Sequence, residues 1–204
     1  MKSWGIGLGR TLWTGLRIML VFTLVLGVVY PLVITGIGQL FFPGQANGSL
    51  LKNAAGQVVG SKLIGQSFAD ADGNPLPQYF QPRPSAAGDG YDAANSSGTN
   101  QGPENPDLIA AIQERRAQIA TFNGVTPEQV PPDALTASAS GLDPDISPEY
   151  ARLQIDRVAR ARNLPRDAVA ALVEEYTSAP DLGYIGQTRV NVTALNLALD
   201  EYPG

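Results

Sequence analysis

One run dominates the hydrophobic pattern of the chain. Ile18 to Phe42 reads IMLVFTLVLGVVYPLVITGIGQLFF, 25 positions without a charged residue. As a helix it measures roughly 37 Å, enough to cross a ~30 Å hydrocarbon core with some tilt. The pattern therefore predicts a transmembrane helix over residues 18–42. The run exceeds the apolar core of a signal peptide, and it lacks the polar face of a soluble helix.

The flanks orient this span. Lys2, Arg10 and Arg17 precede it with no acidic residue among them, and the next charge is Lys52. The positive-inside rule places residues 1–17 in the cytoplasm as a short tail and residues 43–204 outside the membrane. Trp4 and Trp13 suit the membrane interface. Within the span, Tyr30-Pro31 predicts a kink, because proline lacks the amide hydrogen of a helical turn. Gly27, Pro31 and Thr35 recur every four residues, with Gly38 close to the same line. Such a face of small or irregular positions suits close packing against a partner helix, although Gly and Pro are also frequent in membrane helices generally.

Beyond the span the pattern breaks into short pieces. Leu50-Leu51, Val58-Val59 and Leu63-Ile64 alternate with glycine from Ser49 to Phe68, predicting a hairpin with its turn at Asn53 to Gly56. Tyr79-Phe80 reads as a brief strand, and residues 86–105 as a long polar loop, with Arg83 as its anchoring cation. Asn105-Pro106-Asp107 opens a helix with Leu108, Ile109, Ile112, Ile119 and Phe122 as its apolar stripe, closed by Asn123-Gly124. Ser147-Pro148-Glu149 opens a second helix to about Arg162, with Leu153 or Tyr150, Ile155, Val158 and Ala159 inward. Pro165 opens a third. Tyr184-Ile185 and Arg189-Val190 read as short strands, and Asn191 caps a last helix with Leu195 and Leu199 on one side. The fold class is α+β: a single N-terminal transmembrane helix, then one exported domain of several helices and a few short strands.

Composition narrows the function. After the span about 160 residues remain, enough for one domain. The net charge is −5, with no His and no Cys among 204 residues. Disulfides, thiolate or imidazole metal sites, histidine bases and Ser-His-Asp triads are excluded, and the acidic balance argues against nucleic acid. Asp70-Ala-Asp72-Gly73-Asn74 resembles a calcium loop, but its glycine is misplaced and position 12 is Gln81, so no metal site is expected. Neither an Asp-Lys-Thr-Gly-Thr phosphorylation motif nor a Walker A sequence occurs. An exported domain on a span with a packing face reads as a subunit.

Collinear blocks carry a resemblance over nearly the whole chain. They include Tyr30-Pro31-Leu32, Gln45 to Leu50, Gly60-Ser61 with Leu63 to Gln66, Tyr79-Phe80 through Ser85, and Ser96 to Asn100. Thr136 to Asp143, Ile146 to Pro148, Gln154-Ile155, Arg157 to Ala159, Tyr184 to Gly186 and Val190 to Asp200 complete them. The chain resembles the C subunit of the bacterial Kdp-type potassium-transporting P-type ATPase. The resemblance implies a non-catalytic subunit of a high-affinity potassium uptake pump in the bacterial inner (plasma) membrane. Its partners would be a channel-like potassium-translocating subunit, a P-type ATPase subunit and a small one-span subunit, besides membrane lipid. It also implies a role in assembly and stability, or as a chaperone that raises the ATP affinity of the ATPase subunit. For the latter the candidate nucleotide segment is Ser138-Ala-Ser140-Gly141, with Gln154 downstream as a side chain that reaches the ligand. The alternative is that this strip packs tightly and Gln154 satisfies buried backbone. Because ATP is cytoplasmic and the domain is placed outside, the topology favours action at the outer potassium entrance.

Overall fold

The computed structural model describes residues 4–203, so Lys2 lies outside the described residues. Contacts divide the chain into two units, residues 1–49 and 50–204.

The first unit is a long helix: α1 (Trp4–Leu24), a π-helical turn (Val25–Val29) and α2 (Tyr30–Phe41), followed by the short α3 (Pro43–Ala46). The helix begins well before the uncharged run, which forms its C-terminal part. Residues 7–41 make a single helix long and apolar enough to cross a membrane, so this is a single-pass membrane protein. The guanidinium of Arg17 stacks 4.8 Å over the Trp13 ring, one turn apart on α1. Ahead of Tyr30-Pro31 the helix carries the π turn. Pro31 donates no hydrogen bond, and its ring crowds the carbonyl four residues back, on Gly27. The chain widens one turn ahead of it, and Tyr30 N–H donates to the Val25 carbonyl, five residues back. Near the other end Gln39 and Asn47 pair their amides, with Asn47 Nδ2 donating to Gln39 Oε1 at 3.0 Å.

The second unit opens with the predicted hairpin, β1 (Leu50–Lys52) antiparallel to β2 (Val58–Ser61). Irregular chain then runs to α4 (Pro106–Asn123). Asn105 caps α4 by accepting from the Asp107 and Leu108 amides, and Gly124 ends it in the left-handed conformation. Two 3-10 turns (Pro127–Gln129 and Pro132–Ala134) lead to β3 (Asp145–Ile146) and α5 (Pro148–Arg162). Next come α6 (Arg166–Glu175), β4 (Thr177–Ser178), β5 (Arg189–Asn191) and α7 (Val192–Asp200). β5 lies between β3 and β4, antiparallel to both.

Helix α5 is the centre of the core. Tyr150, Gln154 and Val158 form one row at four-residue spacing, and Ala151, Ile155 and Ala159 the next; all six are buried. Of the two residues expected at its start, Tyr150 is buried and Leu153 only half-buried. Phe80, Val169, Val173, Val190, Val192, Leu195 and Leu199 close around this face.

Several expectations need correction. Tyr79-Phe80 is not a strand; side chains take the place of a neighbouring strand there, as described below. Tyr184-Ile185 is not a strand either, but the closing limb of a tight turn in which Asp181 and Ile185 exchange both backbone hydrogen bonds at 2.9 Å. Strand β4 escaped the pattern because two residues carry no period. The α4 stripe is only lightly covered, with Ile109 44% exposed.

Candidate functional site

Two irregular stretches of the second unit are in contact with most of the singled-out residues of that unit. The first is residues 77–81. Asn196 of α7 accepts from Phe80 N–H through Oδ1 and donates to its carbonyl through Nδ2, both at 2.9 Å. Gln154 of α5 does the same to Gln81, accepting its N–H at 2.7 Å and donating to its carbonyl at 3.0 Å. Each amide thus copies the donor–acceptor pair of a strand neighbour. Neither Gln154 nor Asn196 is more than 1% exposed.

Arg157, one turn after Gln154, completes this clamp. Its guanidinium donates to the carbonyls of Pro77 (2.6 Å) and Tyr79 (2.9 Å), to Asn123 Oδ1 (2.9 Å) and to Gln154 Oε1 (2.7 Å). It also lies 4.4 Å over the Phe122 ring. It is 5% exposed, and among the described residues it has no carboxylate partner. Burial lowers its pKa to about 10, which leaves it charged at neutral pH. A buried cation without a counter-ion is uncommon, and here oxygen dipoles and an aromatic face replace the anion. Arg162 adds an outer clasp on the Gln78 carbonyl at 2.7 Å and on Asp200 at 2.7 Å.

The second stretch is the polar loop, residues 86–105, lying along Ser138 to Asp143. The Ser140 carbonyl accepts from Ser97 N–H at 3.0 Å and from Ser96 Oγ at 2.9 Å. Ser85 Oγ donates to the Gly141 carbonyl at 2.6 Å and accepts from Tyr91 N–H at 2.8 Å. The approach is close enough to require glycine. A Cβ on Gly98 would sit 2.8 Å from the Ala139 carbonyl oxygen; one on Gly141, whose φ is +69°, would sit 2.6 Å from Ala87 N.

The four nucleotide candidates separate accordingly. Ser138 is buried, while Ser140 and Gly141 carry the polar loop. The helix that follows starts only at Pro148, its N-terminus occupied by Ser147, which is itself held by Asp133 at 2.8 Å. Gln154 sits in the other clamp, with both ends of its amide engaged. Arg83, between the two stretches in the chain, ties the polar loop to residues 136–143: Nη1 pairs with Asp143 at 2.9 Å, Nη2 donates to the Thr136 carbonyl at 3.3 Å, and its own carbonyl accepts from the Tyr91 hydroxyl at 2.5 Å. In the span, Gly27, Pro31 and Thr35 are all exposed, and a Cβ on Gly27 would meet only the Thr23 methyl, at 3.9 Å.

Sequence reading missed Arg157, Asn196 and Asn123. Each is a polar residue at an apolar position of a helical period, a signal visible in α5 and α7 once helix phase is fixed by the buried rows. It also missed the exposed turn Asp181 to Ile185, where Leu182 is 81% and Tyr184 76% exposed. Among the described residues no three metal-ligating side chains converge.

The comparisons with known proteins agree with one another. The family model described as K+-transporting ATPase, c chain, matches residues 12–201. A potassium-transporting ATPase KdpC subunit from Beijerinckia indica subsp. indica is 54% identical over 182 residues, 89% of each chain. One from Kineococcus radiotolerans is 54% identical over 186 residues, 91% of each chain. One from Mycobacterium tuberculosis is 53% identical over 192 residues, covering 94% of this chain and 98% of the relative. On these matches the chain belongs to the family of K+-transporting ATPase c chains.

Proposed function

We propose that this chain is the accessory, non-catalytic subunit of an ATP-driven potassium uptake pump, required for assembly and stability of the complex. The family match across residues 12–201 carries this reading. ATP hydrolysis belongs to another chain of the complex. The chain assembles with a channel-like potassium-translocating subunit, a P-type ATPase subunit and a small one-span subunit. Its N-terminus is cytoplasmic, the span occupies residues 18–42, and residues 43–204 act outside, near the potassium entrance. Arg10 and Arg17 before an uncharged run support that orientation. Within the lipid, the face of Gly27, Pro31 and Thr35 receives a partner helix, since a small residue permits close approach.

Outside, the turn at Asp181 to Ile185 suits contact with the channel-like subunit. It is stiffened by its paired backbone bonds and presents Leu182, Tyr184 and Ile185 to solvent. Apolar side chains held out on a stiff turn lose little freedom when a partner covers them. The nucleotide-chaperone alternative would need Gln154 to release Gln81, and it would need the exported domain to meet cytoplasmic ATP. Protease accessibility of residues 49–204 in intact cells tests the orientation: cleavage from outside is expected, and full protection of a domain that is cleaved after lysis would reverse it. Co-purification tests the contacts. Gly27→Leu and Tyr184→Glu should each reduce recovery of the channel-like subunit while leaving membrane insertion intact. Unchanged recovery would remove the corresponding face.

A further inference from the structure

A cavity of about 340 Å³ opens between α4 and the irregular chain of residues 67–91, at the lower end of the ~300–1,000 Å³ usual for small-molecule sites. The domain is acidic, yet this cavity is lined by two arginines, Arg83 and Arg115, and by no carboxylate. Asp143, the partner of Arg83, does not line it. Arg115 uses Nη1 on the Leu135 carbonyl at 3.0 Å, and its other nitrogens make no hydrogen bond within the described residues. Phe122 and Ile119 supply an apolar wall from α4.

Two polar groups here lack partners. Arg83 Nε is shut from solvent without a hydrogen bond. Tyr150, only 3% exposed, lines the cavity, and its hydroxyl opens onto it without a protein partner among the described residues. A tyrosine hydroxyl and an arginine with free donors, facing one cavity that no carboxylate lines, point to an anion that completes them. We propose that this cavity binds a small organic anion, a single phosphate or carboxylate on a compact aromatic or short aliphatic body. Its charged end lies toward Arg115 and the Tyr150 hydroxyl, and its body lies against Phe122 and Ile119. Arginine's planar fork suits either anion. The site is separate from the Ser138 to Gly141 strip and from Gln154, none of which lines it.

The test uses the full chain in detergent, with phenyl phosphate as probe and inorganic phosphate and phenol as controls, read by isothermal titration and ligand-observed NMR. Phenyl phosphate should bind saturably with one site per chain and more tightly than either control. Tyr150→Phe should weaken it about tenfold without lowering the melting temperature, because the hydroxyl has no intramolecular partner to lose. Arg115→Gln should weaken it at least as much. Phenyl phosphate binding no tighter than phenol overturns the proposal, as does equal affinity in wild type and Tyr150→Phe. Should Arg115→Gln lose its fold through the Leu135 contact, the Tyr150→Phe comparison alone still decides.

Discussion

The two irregular stretches of the second unit, residues 50–204, are held in opposite ways. Residues 77–81 are gripped by long polar side chains, Gln154, Arg157 and Asn196, that reach from helices into the core. Residues 85–98 are held by close backbone approach to Ser138–Gly141, with glycine where the chains meet. The first arrangement places polar groups inside and satisfies each one. The second keeps the groups near the surface and relies on shape. Failure should differ accordingly: losing a clamp side chain strands buried acceptors, whereas adding a methyl to the strip pushes a surface loop away.

The largest effect is expected at Arg157. Arg157→Leu removes the guanidinium from the Pro77 and Tyr79 carbonyls, leaves Tyr79 with only a 3.4 Å bond from Gln81 Nε2, and takes the donor from Asn123 Oδ1. A loss of about 3–5 kcal/mol follows, the scale at which a buried charged network fails. Hydrogen exchange should quicken at the Phe80 and Gln81 amides well before it does at the Ser97 amide. Equal loss of protection in both stretches would show that they form one cooperative unit and would dissolve the contrast.

Gly141→Ala makes the reciprocal test. The added methyl meets Ala87 N at 2.6 Å while the backbone stays at φ +69°, for a combined cost of about 2–3 kcal/mol. Protease should then cut within residues 86–105, while the Phe80 and Gln81 amides stay protected. Cutting no faster than in wild type would mean that the loop is held elsewhere.

These stretches also show what the sequence could reveal. Capped helices were legible because Asn105-Pro106, Ser147-Pro148 and Asn191 announce them locally, and each cap is present. The span was legible from length and apolarity. The polar loop was legible as a loop from its composition, but its seat on Ser138–Gly141 was not, because the contact is made by backbone that any sequence carries. The clamp was legible only in part. Gln154 was readable as a side chain that satisfies buried backbone, whereas Arg157 interrupts an apolar period and reads as solvent-facing, because the carbonyls that draw it inward lie more than 70 residues away. Tyr79-Phe80 read as a strand because its backbone is paired, but the pairing comes from side chains.

Gln154 allows the clamp to be separated from nucleotide chemistry. Gln154→Ala strands the Gln81 N–H and carbonyl and should cost about 1–3 kcal/mol. If its work is structural, pump activity falls only as far as the yield of assembled complex falls. A raised ATP Michaelis constant in fully assembled mutant complex, with potassium affinity unchanged, would favour the nucleotide-chaperone reading.

The smallest effect lies at the seam beside Arg83, where Asp143 and Asp145 share a turn. Asp143 accepts from the Asp145 amide at 3.0 Å and pairs with Arg83. Burial, and then the charge of Asp143, raise the Asp145 carboxyl above its ordinary value; Asn191 and Arg189 offset only part of this. A carboxyl raised by folding holds its proton longer in the native state than in the unfolded chain. Its contribution is therefore present below the ordinary carboxylate value and is lost as pH rises through the raised one. Asparagine at this position would keep the amide geometry and remove the titration. The melting temperature of Asp145→Asn relative to wild type should therefore climb between about pH 4 and pH 7. It should level off once wild-type Asp145 is fully ionised. A difference that is flat over that range would mean that Arg189, 3.4 Å away, already balances the charge. A difference that falls with pH would mean that the ion pair outweighs burial, and the seam would then be held by charge rather than by shape.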